Sequence, residues 1–311
     1  MSDAAVRLGQ TDVYVTPLGV GTWAWGDRHF WGYGREYGEQ DVREAIAASL
    51  EHGVTFFDTA EIYGGGQSER LLGQGIRGLR EQVVVATKFM PFPWRLSRRS
   101  LLRALRRSLE RLGLGQVDLY QVHGPLPPLP VETWAEALGD VVEAGLARTV
   151  GVSNFSADQI RRAHRVLARR GIPLASVQVE YSLLHRKPER NGVLATCREL
   201  GITLIAYSPL AMGLLTGKYS PENPPPGLRR LLHGRRRLEA IAPVIRLLRS
   251  IGEAHGGKTP AQVALNWLIC KGVVPIPGAK NARQARENAG ALGWRLTPEE
   301  VERLDQVSSG F

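Results

Sequence analysis

Four side chains that could together protonate an oxygen atom stand in the first half of the chain: Asp58, Tyr63, Lys88 and His123. Asp58 follows two aromatic residues in the stretch FFDTAEIYG, and Lys88 ends the apolar run VVVATK. Both runs are typical of buried strands, where a carboxylate is costly unless a cation pairs with it. The two runs therefore predict an ion pair between Lys88 and Asp58, which could be catalytic or only structural.

Tyr63 and His123 favour the catalytic interpretation, because a phenol and an imidazole can both transfer protons. A phenol titrates at about pH 10, and a cation within about 4–6 Å lowers that pKa by stabilising the ionised form. A decrease of about three pKa units needs roughly 4 kcal/mol of such stabilisation. We therefore expect Lys88 to lower the pKa of Tyr63, which would protonate an oxygen that becomes an alkoxide. His123 could direct an N–H at the same oxygen.

The elements that must position these residues alternate between short apolar runs and longer helical patterns. Apolar runs of this kind are typical of parallel strands covered on both faces. Eight such strand–helix units, with no Gly/Ser/Pro-rich linker between them, predict a single (β/α)8 TIM barrel domain over residues 1–311. The predicted strands are 18–23, 54–59, 83–88, 117–123, 147–153, 175–180, 202–208 and 273–278. The predicted helices are 41–52, 68–75, 98–112, 132–143, 156–169, 189–200, 238–255, 260–271 and 282–289.

Three further segments complete the predicted barrel. Residues 6–15 are expected to form an N-terminal hairpin that plugs one end of it. The Pro-rich segment 221–227 predicts a loop over one face after the seventh strand. At the C-terminus, Thr297 followed by Pro298 and Glu300 has the pattern of a capped extra helix.

Polar residues fall at the ends of successive predicted strands. In TIM barrels the catalytic groups collect at the C-terminal ends of the strands. Because neighbouring strands present these ends at one rim, we expect the side chains to form one site. In strand order they are Asp58, Lys88, His123, Ser153, Gln178, Glu180, Tyr207 and Ser208.

Composition and charge argue against several other classes of protein. The chain has 43% hydrophobic and 23% charged residues, which is typical of a soluble globular protein. There is no stretch of about 20 apolar residues, no secretory signal, and the two cysteines, Cys197 and Cys270, stand far apart. These features predict a cytoplasmic protein without membrane spans, disulfides or a metal site. The net charge of +10 comes from arginines on helical faces, and without a reader motif we expect no nucleic-acid partner.

Seven ordered motifs, which cover residues 7–308, resemble the aldo-keto reductases. They are FFDTAEIYG, VVVATK, VDLYQVHGP, VGVSNF, SVQVEYSLL, AYSPLAMGLLTGKY and VPIPGAKNARQARENAGAL. The resemblance implies NADPH-dependent reduction of an aldehyde or ketone, with Asp58, Tyr63, Lys88 and His123 at the positions of the catalytic tetrad. Hydride would pass from the nicotinamide to the carbonyl carbon while Tyr63 protonates the carbonyl oxygen.

The resemblance also implies a set of residues that bind NADP(H). Ser153, Asn154 and Gln178 would bind the nicotinamide carboxamide, and Tyr207 would stack on its ring. Lysine at position 280, where family members often carry arginine, keeps the charge for a 2′-phosphate but loses the planar fork. Arg286 or the arginines within 229–237 could assist it. The remaining implied residues are Gly21, Thr22, Trp23, Asp58, Ser208, Leu210, Gly213, Lys218, Gly278, Gln284, Glu287 and Asn288.

Aromatic residues after the first and third predicted strands are candidates for an apolar substrate pocket. They are Trp25, Phe30, Trp31 and Trp94, and each could instead belong to the core. The substrate itself stays open: the aromatic residues suggest a flat or apolar carbonyl compound, and the family resemblance suggests a pyridoxal-type aldehyde, or a sugar or methylglyoxal-like aldehyde. The oligomeric state is open as well.

Two other functions are compatible with parts of the sequence. Some relatives are channel β subunits, so the chain could sense bound NADP(H) for a partner and turn over little. The stretch GEAHGGKT, residues 252–259, matches the phosphate-binding loop of ATPases. That loop must follow a strand, whereas a helical pattern precedes this stretch, so we expect Gly256 and Gly257 to end a helix instead.

Overall fold

A hairpin at the N-terminus closes one end of a barrel in the computed structural model, which describes residues 4–225 and 234–311. Strand β1 (Val6–Arg7) pairs antiparallel with β2 (Tyr14–Val15). Leu8 and Val13 of this hairpin are buried in one apolar cluster with Phe56 and Leu119 from inside the barrel. The hairpin therefore plugs the barrel as predicted.

Eight parallel strands follow in the described residues, and each pairs with its neighbours in chain order. The first and last strands also meet, because the amide of Gly21 donates to the carbonyl of Pro277 at 3.0 Å and Gly21 bridges Gly278. The predicted (β/α)8 fold is thus confirmed, while its extent as one domain over residues 1–311 stays a prediction. The strands are β3 (Gly19–Gly21), β4 (Phe56–Asp58), β5 (Val84–Phe89), β6 (Val117–Val122), β7 (Ala147–Ser153), β8 (Leu174–Glu180), β9 (Thr203–Tyr207) and β10 (Val274–Pro275).

Helices surround the barrel and bury their apolar faces against the strands. The predicted helix over 189–200 is wrong in one respect: it is two helices, because Gly192 has a left-handed φ of 81° and interrupts it. Among the described residues the helices are α1 (Glu39–Glu51), α2 (Gln67–Gly75), α3 (Arg98–Leu112), α4 (Val131–Glu143), α5 (Ala157–Ala168), α6 (Lys187–Arg190), α7 (Val193–Glu199), α8 (Arg235–Ala254), α9 (Pro260–Cys270), α10 (Ala282–Ala289) and α11 (Pro298–Val307).

The stretch 252–259, which matches an ATPase loop in sequence, connects two helices. Gly256 and Gly257 have positive φ angles of 72° and 84° just after α8, and Thr259 is the N-cap of α9. The Lys258 ammonium donates to the carbonyl of Gly290 at 3.2 Å. The stretch thus lacks the preceding strand that a phosphate-binding loop requires.

Many of the arginines that give the chain its positive charge join neighbouring helices. Arg98 of α3 and Arg170, which follows α5, both contact the carboxylate of Asp140 on α4. Arg162 of α5 reaches Glu132 of α4 at 2.6 Å. These ion pairs give several arginines a structural role on the barrel surface. Across residues 4–225 and 234–311, none of the helices combines the length and apolar character needed to cross a membrane.

Candidate active site

The ammonium of Lys88 lies at the centre of the predicted catalytic residues. It pairs with Asp58 Oδ1 and donates to the carbonyl of Thr59 at 2.9 Å and to the Tyr63 hydroxyl at 3.4 Å. Both partners of the ion pair are buried, with side chains no more than 2% exposed. The geometry follows from strand register: Asp58 lies opposite Ala86, so Lys88, two residues further along β5, faces the same side of the sheet as Asp58. The structure thus brings Asp58, Tyr63 and Lys88 together.

Two buried amides hold the second oxygen of the Asp58 carboxylate. Gln121 donates to Oδ2 at 3.1 Å and Gln178 donates to it at 2.9 Å. Sequence reasoning missed Gln121, although a signal was present. In VDLYQVH the residues two apart face the same side of the strand, so Gln121 accompanies His123 into the barrel. These contacts keep Asp58 satisfied as an anion and oriented toward Lys88.

His123 follows β6 and places its ring edge-on to Tyr63, with 5.7 Å between the ring centroids. Burial, together with the charge of Lys88, lowers the pKa of His123 from 6.5 to about 3. The imidazole is therefore neutral at physiological pH and keeps one N–H. Its Nδ1 is buried without a hydrogen-bond partner among the described residues.

The expectation that Lys88 lowers the pKa of Tyr63 below its ordinary value is wrong for this structure. Burial raises the pKa of Tyr63 above 10.0, and this outweighs the opposite effect of Lys88. Burial also disfavours the charge on Lys88, but Asp58 and Tyr63 overcome this and raise the pKa of Lys88 above 10.5. Tyr63 is therefore a fully protonated donor beside a fixed positive charge that can stabilise its phenolate.

These residues open onto a cavity of about 880 Å³. At the end near Tyr63, which we call the chemical end, the Tyr207 hydroxyl donates to Asn154 Oδ1 at 3.1 Å. Asn154 Nδ2 in turn donates to the carbonyl of His123 at 3.0 Å. Burial raises the pKa of Tyr207 to about 12, so its hydroxyl stays protonated. Tyr207 lines the cavity.

The middle of the cavity runs along the segment after β9. Ser208, Ala211 and Met212 there have positive φ angles, and so does Asn154. Within the described chain these four are the non-glycine residues with that conformation, and they cluster beside the cavity. Backbone strain of this kind concentrates at binding and catalytic sites. Residues 226 and 227 of the Pro-rich segment, and 229–233 among the arginines, lie outside the described residues.

The far end of the cavity, which we call the adenosine end, is formed by α10 and the loop after β3. The Lys280 ammonium donates to the carbonyl of Trp31 at 2.7 Å and lies 3.6 Å from the Glu36 carboxylate. Arg283 also lines this end, whereas Arg286 of the same helix does not. Sequence reasoning missed Arg283, although it lies in the first turn of α10, only three residues after Lys280.

Every residue implied to bind the cofactor lines this cavity. The arrangement fits a dinucleotide, because a flat ring, side-chain amides and cationic groups follow one another along its length. Their roles as ligands stay predictions. They are Gly21, Thr22, Trp23, Asp58, Ser153, Asn154, Gln178, Tyr207, Ser208, Leu210, Gly213, Lys218, Gly278, Lys280, Gln284, Glu287 and Asn288.

The aromatic residues predicted for a substrate pocket divide into two groups. Trp31 lines the cavity, as does Trp23. Trp25 does not, because its side chain is fully buried and its indole N–H donates to the carbonyl of Ala279 at 2.7 Å. Phe30 stacks on Trp23 outside the cavity lining, and Trp94 is 72% exposed and stacks on Phe92. Of the four predicted residues, Trp31 is therefore the one placed at the cavity wall, and the roles of all four in substrate binding stay predictions.

Residues 4–225 and 234–311 bring together no group of three or more histidine, cysteine, aspartate or glutamate side chains that could hold a metal ion.

Comparisons with known proteins agree with the fold. The model of the aldo/keto reductase family matches residues 17–309. The chloroplastic pyridoxal reductase of Arabidopsis thaliana is 45% identical over 97% of this chain and 85% of its own length. An aldo-keto reductase from Klebsiella pneumoniae, solved in complex with NADPH, has 30% identity and a TM-score of 0.78, covering 99% of this chain and 96% of its own. The glycerol dehydrogenase of Gluconobacter oxydans has 27% identity and a TM-score of 0.85, covering 100% and 96%.

Proposed function

Because this chain belongs to the aldo-keto reductase family, we propose that it reduces an aldehyde or ketone to an alcohol with NADPH. The observation that carries the proposal is the contact of one buried ammonium, Lys88, with both Asp58 and the Tyr63 hydroxyl at the wall of a large cavity. The NADPH-bound relative supports the choice of cofactor. When bound, NADPH supplies the hydride, and the residues of this chain supply the proton and the positioning.

Tyr63 is the proton donor in this proposal. Its hydroxyl is protonated at physiological pH, so a carbonyl oxygen that gains negative charge would receive the proton directly. Lys88, 3.4 Å away, stabilises the phenolate that remains. Asp58 keeps Lys88 charged and oriented, and Gln121 and Gln178 keep Asp58 oriented in turn.

His123 is a neutral hydrogen-bond donor in this proposal. Its pKa of about 3 keeps it uncharged across the physiological range. It would therefore orient the carbonyl oxygen with an N–H and would not compete with Tyr63 as an acid. Asn154 links the backbone carbonyl of His123 to the hydroxyl of Tyr207. These two hydrogen bonds fix the position of His123 relative to the Tyr207 ring on which the nicotinamide would stack.

The side-chain amide of Gln178 has its oxygen atom available to the cofactor. Its N–H groups donate to Asp58 and, at 3.4 Å, to Gln121, so its carbonyl oxygen is the group available to a nicotinamide carboxamide. Cofactor binding at Gln178 would thus act on the same hydrogen bonds that position Asp58. Ser153, buried beside it, would complete the carboxamide contacts.

We propose a flat aromatic aldehyde of the pyridoxal type as the substrate. The relative named pyridoxal reductase, with 45% identity over nearly the whole chain, supports this class. The partly exposed indole of Trp23 at the cavity wall offers an apolar face for such a ring. The cytoplasmic location predicted from the sequence stays a prediction, since that relative is chloroplastic.

A carbonyl panel with NADPH and NADH in parallel tests the proposal. We expect pyridoxal to be reduced with NADPH, and Tyr63→Phe to lower kcat by about 10²–10⁴-fold while NADPH binding persists. A lack of turnover with every aldehyde and ketone would contradict the proposal. Trace turnover with slow cofactor release and a co-purifying protein would instead favour an NADP(H)-sensing subunit.

A further inference from the structure

The adenosine end of the cavity contains more basic groups than the sequence resemblance assigns to it. Lys280 and Arg283 both line it, and so do the carboxylates of Asp27, Glu36 and Glu287. A 2′-phosphate bound there would bring about two negative charges close to these carboxylates. The cationic groups that remain available at this end therefore decide whether a phosphorylated cofactor is preferred.

Lys280 is largely occupied by the protein itself. Its ammonium donates to the carbonyl of Trp31 and lies near the Glu36 carboxylate. It also lies 4.7 Å from the ring centroid of Tyr37 and 5.2 Å from that of Trp31. An ammonium has three donors, and these contacts come from one loop, between β3 and α1. Lys280 therefore holds that loop against the cavity wall.

Arg283 is the basic residue that remains available. Its side chain is exposed, lines the cavity, and makes no hydrogen bond or ion pair with any residue that the structure describes. Lys280 can balance one of the three carboxylates at this end, so without Arg283 the local charge would be negative. A guanidinium can also bind a phosphate through two parallel N–H groups, which an ammonium cannot do.

We propose that Arg283 determines the preference for the 2′-phosphorylated cofactor, and that Lys280 mainly anchors the loop between β3 and α1. This inference rests on the proposed function, because it assumes that the adenosine half of NADPH binds at this end. It assigns phosphate recognition to a residue that the resemblance did not include. Arg286, which the sequence left open as a helper, has no part in it.

Binding of cofactor fragments tests the inference without relying on turnover. Quenching of tryptophan fluorescence would report binding, because Trp23 and Trp31 line the cavity. We expect Arg283→Ala to weaken 2′,5′-ADP by about tenfold or more and to leave 5′-AMP within about twofold. Arg283→Lys should lose part of that affinity, because it keeps the charge and loses the fork. Arg286→Ala removes a charge from the same helix outside the cavity and should change neither affinity.

The outcomes separate the inference from the proposed function. If wild type prefers 2′,5′-ADP over 5′-AMP and Arg283→Ala keeps that preference, the inference fails and the proposed function stands. If wild type binds neither fragment nor NADPH, the proposed function fails as well. Equal weakening of both fragments by Arg283→Ala would also overturn the inference, because the residue would then act on the adenosine pocket as a whole. Unchanged thermal unfolding of each variant would establish that the fold is intact.

Discussion

At the chemical end of the cavity, Asp58, Lys88 and Gln121 are fully buried on neighbouring strands, whereas at the adenosine end Glu36 and Arg283 are exposed. The buried groups form one hydrogen-bonded network, because Lys88 and Gln121 both donate to the Asp58 carboxylate. The exposed groups lie on a loop and a helix and make few contacts with one another. A substitution at the chemical end should therefore change stability and catalysis together, and one at the adenosine end should change affinity alone.

The largest effect is expected from Lys88→Met. This change leaves the buried Asp58 carboxylate without its cation, and breaking a buried pair in this way costs about 3–5 kcal/mol. The free energy of unfolding, measured by urea denaturation, should fall by that amount, and kcat should fall with it.

The double variant Asp58→Asn/Lys88→Met separates the two effects. It removes both charges, so we expect it to recover most of the lost stability while kcat stays low. If Lys88→Met is as stable as wild type, the ion pair does not hold this end together. The contrast between the two ends would then be lost.

A smaller effect on stability is expected when pH is lowered, because of the largely buried imidazole of His123. Its pKa is about 3 in the folded protein and 6.5 in its ordinary state, so between these values the unfolded chain binds a proton that the folded chain does not. Stability should therefore fall as pH decreases below about 6.5. From pH 6.5 to pH 5 the contribution of His123 is about 2 kcal/mol.

The measurement is urea unfolding of wild type and His123→Gln at several pH values. From pH 6.5 to pH 5, the free energy of unfolding should fall by about 2 kcal/mol less in the variant than in wild type, whatever the variant's stability at neutral pH. Parallel curves for the two proteins would mean that the imidazole titrates normally. It would then be a solvated group and not a part of the buried set.

The smallest effect is expected from Glu36→Gln at the adenosine end. The Glu36 side chain is 66% exposed, so its loss should change stability by less than about 0.5 kcal/mol. Removing its charge beside Lys280 should strengthen NADPH binding by about two- to threefold, measured by fluorescence titration. Weaker NADPH binding, or a stability loss comparable to that of Lys88→Met, would show that the two ends do not differ in the way described.

The same contrast explains what could be predicted from the sequence. At the chemical end, strand periodicity and the common rim of a parallel barrel are enough to bring Asp58, Lys88 and His123 together. Strand register then determines contacts that the sequence pattern does not predict, such as the hydrogen bonds that the side-chain amides of Gln121 and Gln178 donate to Asp58 Oδ2. The raised pKa of Tyr63 was missed for a related reason: burial depends on the whole packed site, and it outweighs the single neighbour that the sequence suggests.

Loops gave the least reliable predictions, because they have no periodicity. Trp23 and Trp25 are two residues apart after β3, yet one lines the cavity and the other is fully buried. A turn closed by the amide of Trp25 and the carbonyl of Thr22, 2.9 Å apart, sets this difference, and the sequence does not specify it. The role proposed for Arg283 could not be predicted from the sequence either, since it depends on the hydrogen bond that Lys280 donates to Trp31 of the loop.

The most direct measurement of the central claim is the transfer of deuterium from NADPH labelled at both C4 positions to pyridoxal, followed by mass spectrometry of the alcohol. We expect a single deuterium on the former carbonyl carbon with wild type. We also expect a rate lower by about 10²–10⁴-fold with Tyr63→Phe at saturating NADPH. NADPH oxidation without deuterium in the alcohol, or an unchanged rate with Tyr63→Phe, would contradict the central claim.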